Sequence, residues 1–92
     1  MTASLAAPPS HTATARLADL ARGAVATVVG VEATGPADMV ATRLEDLGFV
    51  RGEALRVIAL GPIGGDPMVV QVGYTRFALR RSEAARIQVT PS

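Results

Sequence analysis

The residues with chemical capacity are few and poorly grouped. His11 is the only histidine and sits among Ala, Thr, Ser and Pro near the N-terminus. Cysteine is absent, which excludes a disulfide framework, a thiolate metal site and a cysteine nucleophile. Ser82 and Ser92 have no histidine in their part of the chain to take a hydroxyl proton, so a serine–histidine arrangement is not formed. Divalent transition metals favour imidazole with carboxylate, or thiolates. Glu45 and Asp46 are adjacent in a helical pattern and point roughly 100° apart, which does not make a tight pair. The sequence therefore predicts no catalytic residue, no cofactor and no specific metal site in its folded region.

Two further groupings invite a ligand. Gly61-Pro-Ile-Gly-Gly-Asp-Pro67 is glycine-rich, but a phosphate loop needs a lysine and a following helix, so that main-chain N–H groups face the phosphates. This chain has no lysine, and the loop joins two apparent strands. Its glycines serve turn geometry. Arg76, Arg80, Arg81 and Arg86 form a basic cluster with two readings. One is a solvated strand edge whose charges discourage edge-to-edge pairing; the other is a contact for an acidic protein partner. RNA is disfavoured, because only Tyr74 offers a stacking face nearby and the net charge is +1.

Ninety-two residues make one small domain. With three aromatic residues, Phe49, Tyr74 and Phe77, the core must be built from Val, Leu, Ile and Ala. Charge is unevenly placed: residues 36–70 hold five acids against three arginines, and residues 71–92 hold four arginines against Glu83. An acidic side and a basic side are expected. No run approaches the roughly 20 apolar residues of a membrane span. The N-terminus has no secretory pattern, so a cytoplasmic location without membrane insertion is expected.

The elements that must position these residues centre on Ala41 to Ile58. Val40, Leu44 and Leu47 recur at helical spacing. Gly48 follows them where a left-handed residue ends a helix, and Phe49 stands where a Schellman cap places an apolar side chain, with Leu44 as its partner. Gly52 is a second pivot before a strand. Pro36 is expected at the first helical position with Asp38 in the first turn, and the helix runs to about Leu47. Residues 1–15 read as a disordered leader. Strands are expected over Ala24–Val31 with a bend at Gly30, Glu53–Leu60, Met68–Val72, Phe77–Leu79 and Ile87–Val89. Ser82 is expected to cap one helical turn through Ala85. The fold class is mainly β: a small, partly open barrel of about five strands with one inserted helix.

Taken in order, Leu17-x-x-Leu20-x-x-Gly23, Arg43-Leu44-x-x-Leu47-Gly48-Phe49-x-x-Gly52, Gly61-Pro62-x-Gly64-Gly65-x-Pro67, Phe77-Ala-Leu-Arg-Arg81-x-x-Ala84 and Ile87-x-Val89 resemble the FeoA family of bacterial ferrous iron uptake, over about residues 16–90. The resemblance implies an SH3-like barrel and a non-catalytic accessory of FeoB, the membrane iron transporter with a G-protein domain. It would sit in the cytoplasm, held at the inner membrane by that partner. The chain departs from the family at Arg51, where many members have Pro, and in the interposed Asp66. A related barrel is appended to iron-dependent repressors of the DtxR type, which supplies the competing reading, a regulatory SH3-like domain. On the transporter reading, the partner-binding residues are Arg43, Leu47, Gly48, Phe49, Arg51, Gly52, Arg80 and Arg81. The competing reading of Phe49, as a core-capping side chain, is the stronger of the two for that residue. A weak homo-oligomer through exposed strand edges is also expected.

Overall fold

The computed structural model describes residues 14–35 and 38–92. Residues 1–13 of the expected leader, His11 among them, lie outside the described residues, as does Pro36. The chain runs β1 (Ala15–Arg16), a 3-10 turn (Leu17–Asp19), β2 (Val25–Val31), α1 (Met39–Leu47), β3 (Ala54–Gly61), β4 (Gly65–Val72), β5 (Thr75–Leu79), the single-turn helix α2 (Arg81–Ala84) and β6 (Ile87–Pro91). All pairings are antiparallel, in one sheet of order β1-β6-β2-β3-β4-β5. This open, curled sheet with an inserted helix is the expected mainly-β class, with six strands among the described residues where the periodicity showed five.

Period-two burial builds the inner face. Met68, Val70 and Val72 on β4 are buried, as are Leu55 and Val57 on β3, Val28 on β2 and Ile87 and Val89 on β6. Leu17, Leu44, Phe49, Leu79 and Ala84 close the same core, and among the described residues no polar residue is buried in it. The bend expected at Gly30 is a register shift between Val28 and Gly30, and a second lies between Val57 and Ala59. Such bulges raise local twist and let a short sheet wrap around its core.

Four expectations are corrected. Ala15, assigned to the leader, is paired in β1 with Val89; two residues are too few to show a period. The helix starts at Met39 with Asp38 as its N-cap, not near Pro36, because the Asp38 carboxylate accepts from the amides of Val40 and Ala41. The loop after β3 is shorter than composition suggests, since Gly65, Asp66 and Pro67 already belong to β4 and Gly61 pairs with Gly65. Ser82 lies inside α2 and is not its cap. The carboxylate of Glu83 reaches back instead, accepting the Arg80 N–H at 3.0 Å.

Candidate functional site

The helix stop behaves as its sequence requires. Gly48 is left-handed at φ 118°. Its N–H donates to the Glu45 carbonyl at 3.0 Å, and the Phe49 N–H donates to the Leu44 carbonyl at 3.1 Å. These are the two bonds of a Schellman cap. Gly52, at φ 93°, turns the chain into β3, and its N–H donates to the Val28 carbonyl at 2.9 Å. The joint between α1 and β3 is thereby locked to β2.

The predicted site residues divide at this joint. Phe49 is completely buried, with its ring centroid 5.4 Å from that of Phe77 at a 54° tilt. It is a core residue and offers no surface. Leu47 and Gly48 are half-buried, whereas Arg43, Arg51 and Gly52 are exposed. The outer side of α1 continues the exposed patch. Met39 is 82% exposed and, with Thr42, Arg43 and Asp46, borders a shallow groove. Val50 is 44% exposed beside Arg51.

Glu83 joins this surface to the second predicted group. One of its oxygens accepts the Arg43 guanidinium at 2.9 Å and the other accepts the Arg80 N–H. The Arg80 side chain is exposed, and Arg81 is half-buried with its N–H on Asp66 Oδ1 at 3.1 Å. The interposed Asp66 thus anchors the start of α2. Arg43, Arg80 and Arg81 are brought together around α2, whereas the larger arginine cluster is not a unit. Arg86 turns away to the Asp38 carboxylate, and Arg76 Nε donates to Gln71 Oε1 at 3.1 Å.

Asp38 is the residue that sequence reasoning undervalued. Besides capping α1, its carboxylate accepts the Thr34 N–H and the Thr34 hydroxyl, each at 2.9 Å, and pairs with Arg86. Its side chain is only 5% exposed. The Thr34 amide, then the Ala41 amide, hold this carboxyl well below the usual carboxylate range against the cost of desolvation, and the Thr34 hydroxyl and Arg86 add to the effect. An Asp just ahead of an apolar helical run was the available signal, but Gly35-Pro36 outweighed it.

Among the described residues no three His, Cys, Asp or Glu side chains converge as metal ligands would, and no helix is long and apolar enough to cross a membrane. The surface offers charge and shape for contact with another molecule. Residues 15–91 match the family described as FeoA domain. The chain belongs to the FeoA family. Of solved structures, Stenotrophomonas maltophilia FeoA complexed with zinc is 49% identical, at a TM-score of 0.75 over 82% of this chain and 88% of that one. FeoA of Chlorobium tepidum is 40% identical, with a TM-score of 0.71 over 84% and 70% of the two chains. The fold also recurs in T. acidophilum IdeR at 18% identity and a TM-score of 0.72, over 88% of this chain and 35% of that one. That last likeness is one of fold alone. No curated protein matches the chain.

Proposed function

We propose that this FeoA-family chain is a non-catalytic accessory of ferrous iron uptake that docks on the cytoplasmic part of a FeoB-type membrane transporter carrying a G-protein domain. The observation that carries the reading is the family match across residues 15–91. The relative from S. maltophilia is described as an SH3-domain protein and a candidate ferrous iron transport activating factor, which supports the same role. On this reading the chain works in the cytoplasm and reaches the membrane only through its partner.

The docking surface on this reading is the joint between α1 and β3. Arg43 and Arg51 provide charge, Met39 and Val50 provide exposed apolar area, and the buried Phe49 holds the joint rigid beneath them. Rigid presentation matters because contacts made by a pre-ordered surface lose less conformational entropy on binding. Phe49, Gly48 and Gly52 therefore act as positioning residues.

Co-purification of the full chain with the transporter's cytoplasmic domain, in membrane-like conditions and with GDP or a GTP analogue present, tests the proposal. Retention of the wild-type chain and its loss in Arg43→Glu with Arg51→Glu, at unchanged thermal midpoint, is the expected result. Absence of retention under every nucleotide condition would sink it.

A further inference from the structure

Among the described residues, the outer edge of β5 is without a neighbouring strand and carries a distinct charge pattern. Among the described residues β5 ends the sheet and pairs with β4 alone. The turn between them is two residues, Gly73 and Tyr74, closed by Val72 opposite Thr75. A two-residue hairpin closes on a doubly bonded pair, after which bonded and non-bonded pairs alternate. Val70 opposite Phe77 is therefore bonded, while Gln71 opposite Arg76 and Val69 opposite Ala78 are not. The main-chain N–H and C=O groups of Arg76 and Ala78 thus point away from β4, toward open surface.

The side chains on this edge define what would fit. Arg76, Ala78 and Arg80 are exposed and share the outward face, while Leu79 between them is buried. None of these arginines is paired with a carboxylate among the described residues, whereas Arg16, Arg43 and Arg86 are. Beside Ala78 and Arg80 lies a cleft of about 430 Å³ whose other walls are Ile63, Asp66 and Pro67. Ile63 is 81% exposed. Asp66, the carboxylate in that lining, is turned to the Arg81 N–H. Arg76 and Ala78 on the edge, followed by Arg80 just past its end at the N-cap of α2, read cation, small apolar residue, cation, with the two charges four residues or about 13 Å apart.

We infer that β5 accepts an extended acidic segment of another protein by strand addition. The segment would carry an acidic residue opposite each of Arg76 and Arg80 and an apolar residue between them, over Ala78 and toward Ile63 and Pro67. Main-chain bonds supply affinity in this mode and alternate side chains supply specificity. A second copy does not fit the register in which the outward groups of Ala78 meet their own counterpart. Two β5 edges paired antiparallel about Ala78 set Arg76 against the partner's Arg80, and like charges directly opposite are destabilising. The inference does not rest on the transporter reading, whose surface is the α1–β3 joint. Either can fail while the other stands.

The test uses the full chain and two capped nonapeptides, one with a Glu-Thr-Val-Thr-Glu centre and one with a Lys-Thr-Val-Thr-Lys centre. In ¹H–¹⁵N spectra the acidic peptide shifts the Arg76 and Ala78 amides and protects them from exchange. The double variant Arg76→Glu with Arg80→Glu weakens that binding about tenfold and reverses the preference toward the basic peptide. Raising the salt concentration weakens the wild-type interaction. Ala78→Pro, which removes an outward N–H and leaves the bonds to β4, abolishes it. Equal binding of both peptides, shifts confined to the α1 groove, or sedimentation showing a dimer that Ala78→Pro dissolves would each overturn the inference. The charge-reversal arm stands alone if the proline variant does not fold.

Discussion

Substitution of Phe49 by alanine separates a core residue from a contact residue most sharply. The side chain is fully buried and packs on Phe77 with 5.4 Å between ring centroids. Core Phe→Ala changes cost about 3–5 kcal/mol, through lost transfer energy and the cavity left behind. A domain of 92 residues, at roughly 0.05–0.15 kcal/mol per residue, has a total stability of about 5–14 kcal/mol. The substitution therefore removes between about a fifth and all of that stability. Phe49→Leu keeps the apolar contact and most of the volume, and its cost is about 1.5 kcal/mol or less. Urea titration followed by far-ultraviolet circular dichroism measures both, with unchanged slope and a lowered midpoint expected. The thermal midpoint of the alanine variant should fall by more than about 10 °C. A loss below about 1 kcal/mol for alanine would refute the core assignment, and with it the claim that Phe49 holds the joint rigid. The leucine variant should retain its binding partner, because no Phe49 surface is available to touch one.

Three further outcomes follow from local geometry. Gly61→Ala builds a Cβ 2.4 Å from the Asp66 carbonyl oxygen and 2.7 Å from the Pro67 nitrogen. Both are backbone atoms, so the β3–β4 hairpin must shift, and equilibrium unfolding should register a loss of about 1–3 kcal/mol. Gly48→Ala meets nothing nearer than Val72 Cγ1 at 3.8 Å, yet it forces a side chain to φ 118°. Its cost is conformational, about 1–2 kcal/mol, and its spectral changes should stay near the end of α1. Asp38 ionises more readily in the folded chain than in the unfolded one, so its stabilising effect is complete above about pH 4 and is lost as pH falls below that. In acid titrations of stability, Asp38→Asn should flatten this limb, whereas an unchanged acid limb would refute the assigned network.

Much of the candidate site was legible locally, and the limits of that legibility have a common cause. The Gly48 stop, the seating of Phe49 and the Gly52 pivot each depend on neighbours within one helical turn or one loop. Residue type at a known spacing suffices for those. The strands with two-residue burial periods were equally visible, because alternation across a pleat is a property of the segment itself. Which arginines remain free was not visible. Arg43 meets Glu83 across 40 residues of chain, and Arg86 meets Asp38 across 48.

The FeoA-type order of motifs, the mainly-β class and the glycine-ended helix belong to the sequence alone. The class and the helix stop follow from backbone preferences and apolar periods that act before any long-range contact forms. The partition of the arginines, the pairing of Ala15 with Val89 and the exposure of the β5 edge belong to the tertiary structure. Sheet order sets each of them, deciding which charges face one another and which strand ends without a neighbour. A run of nine arginines in a list is a composition; six strands curled around one core make some of them ion pairs and leave Arg76 and Arg80 facing outward.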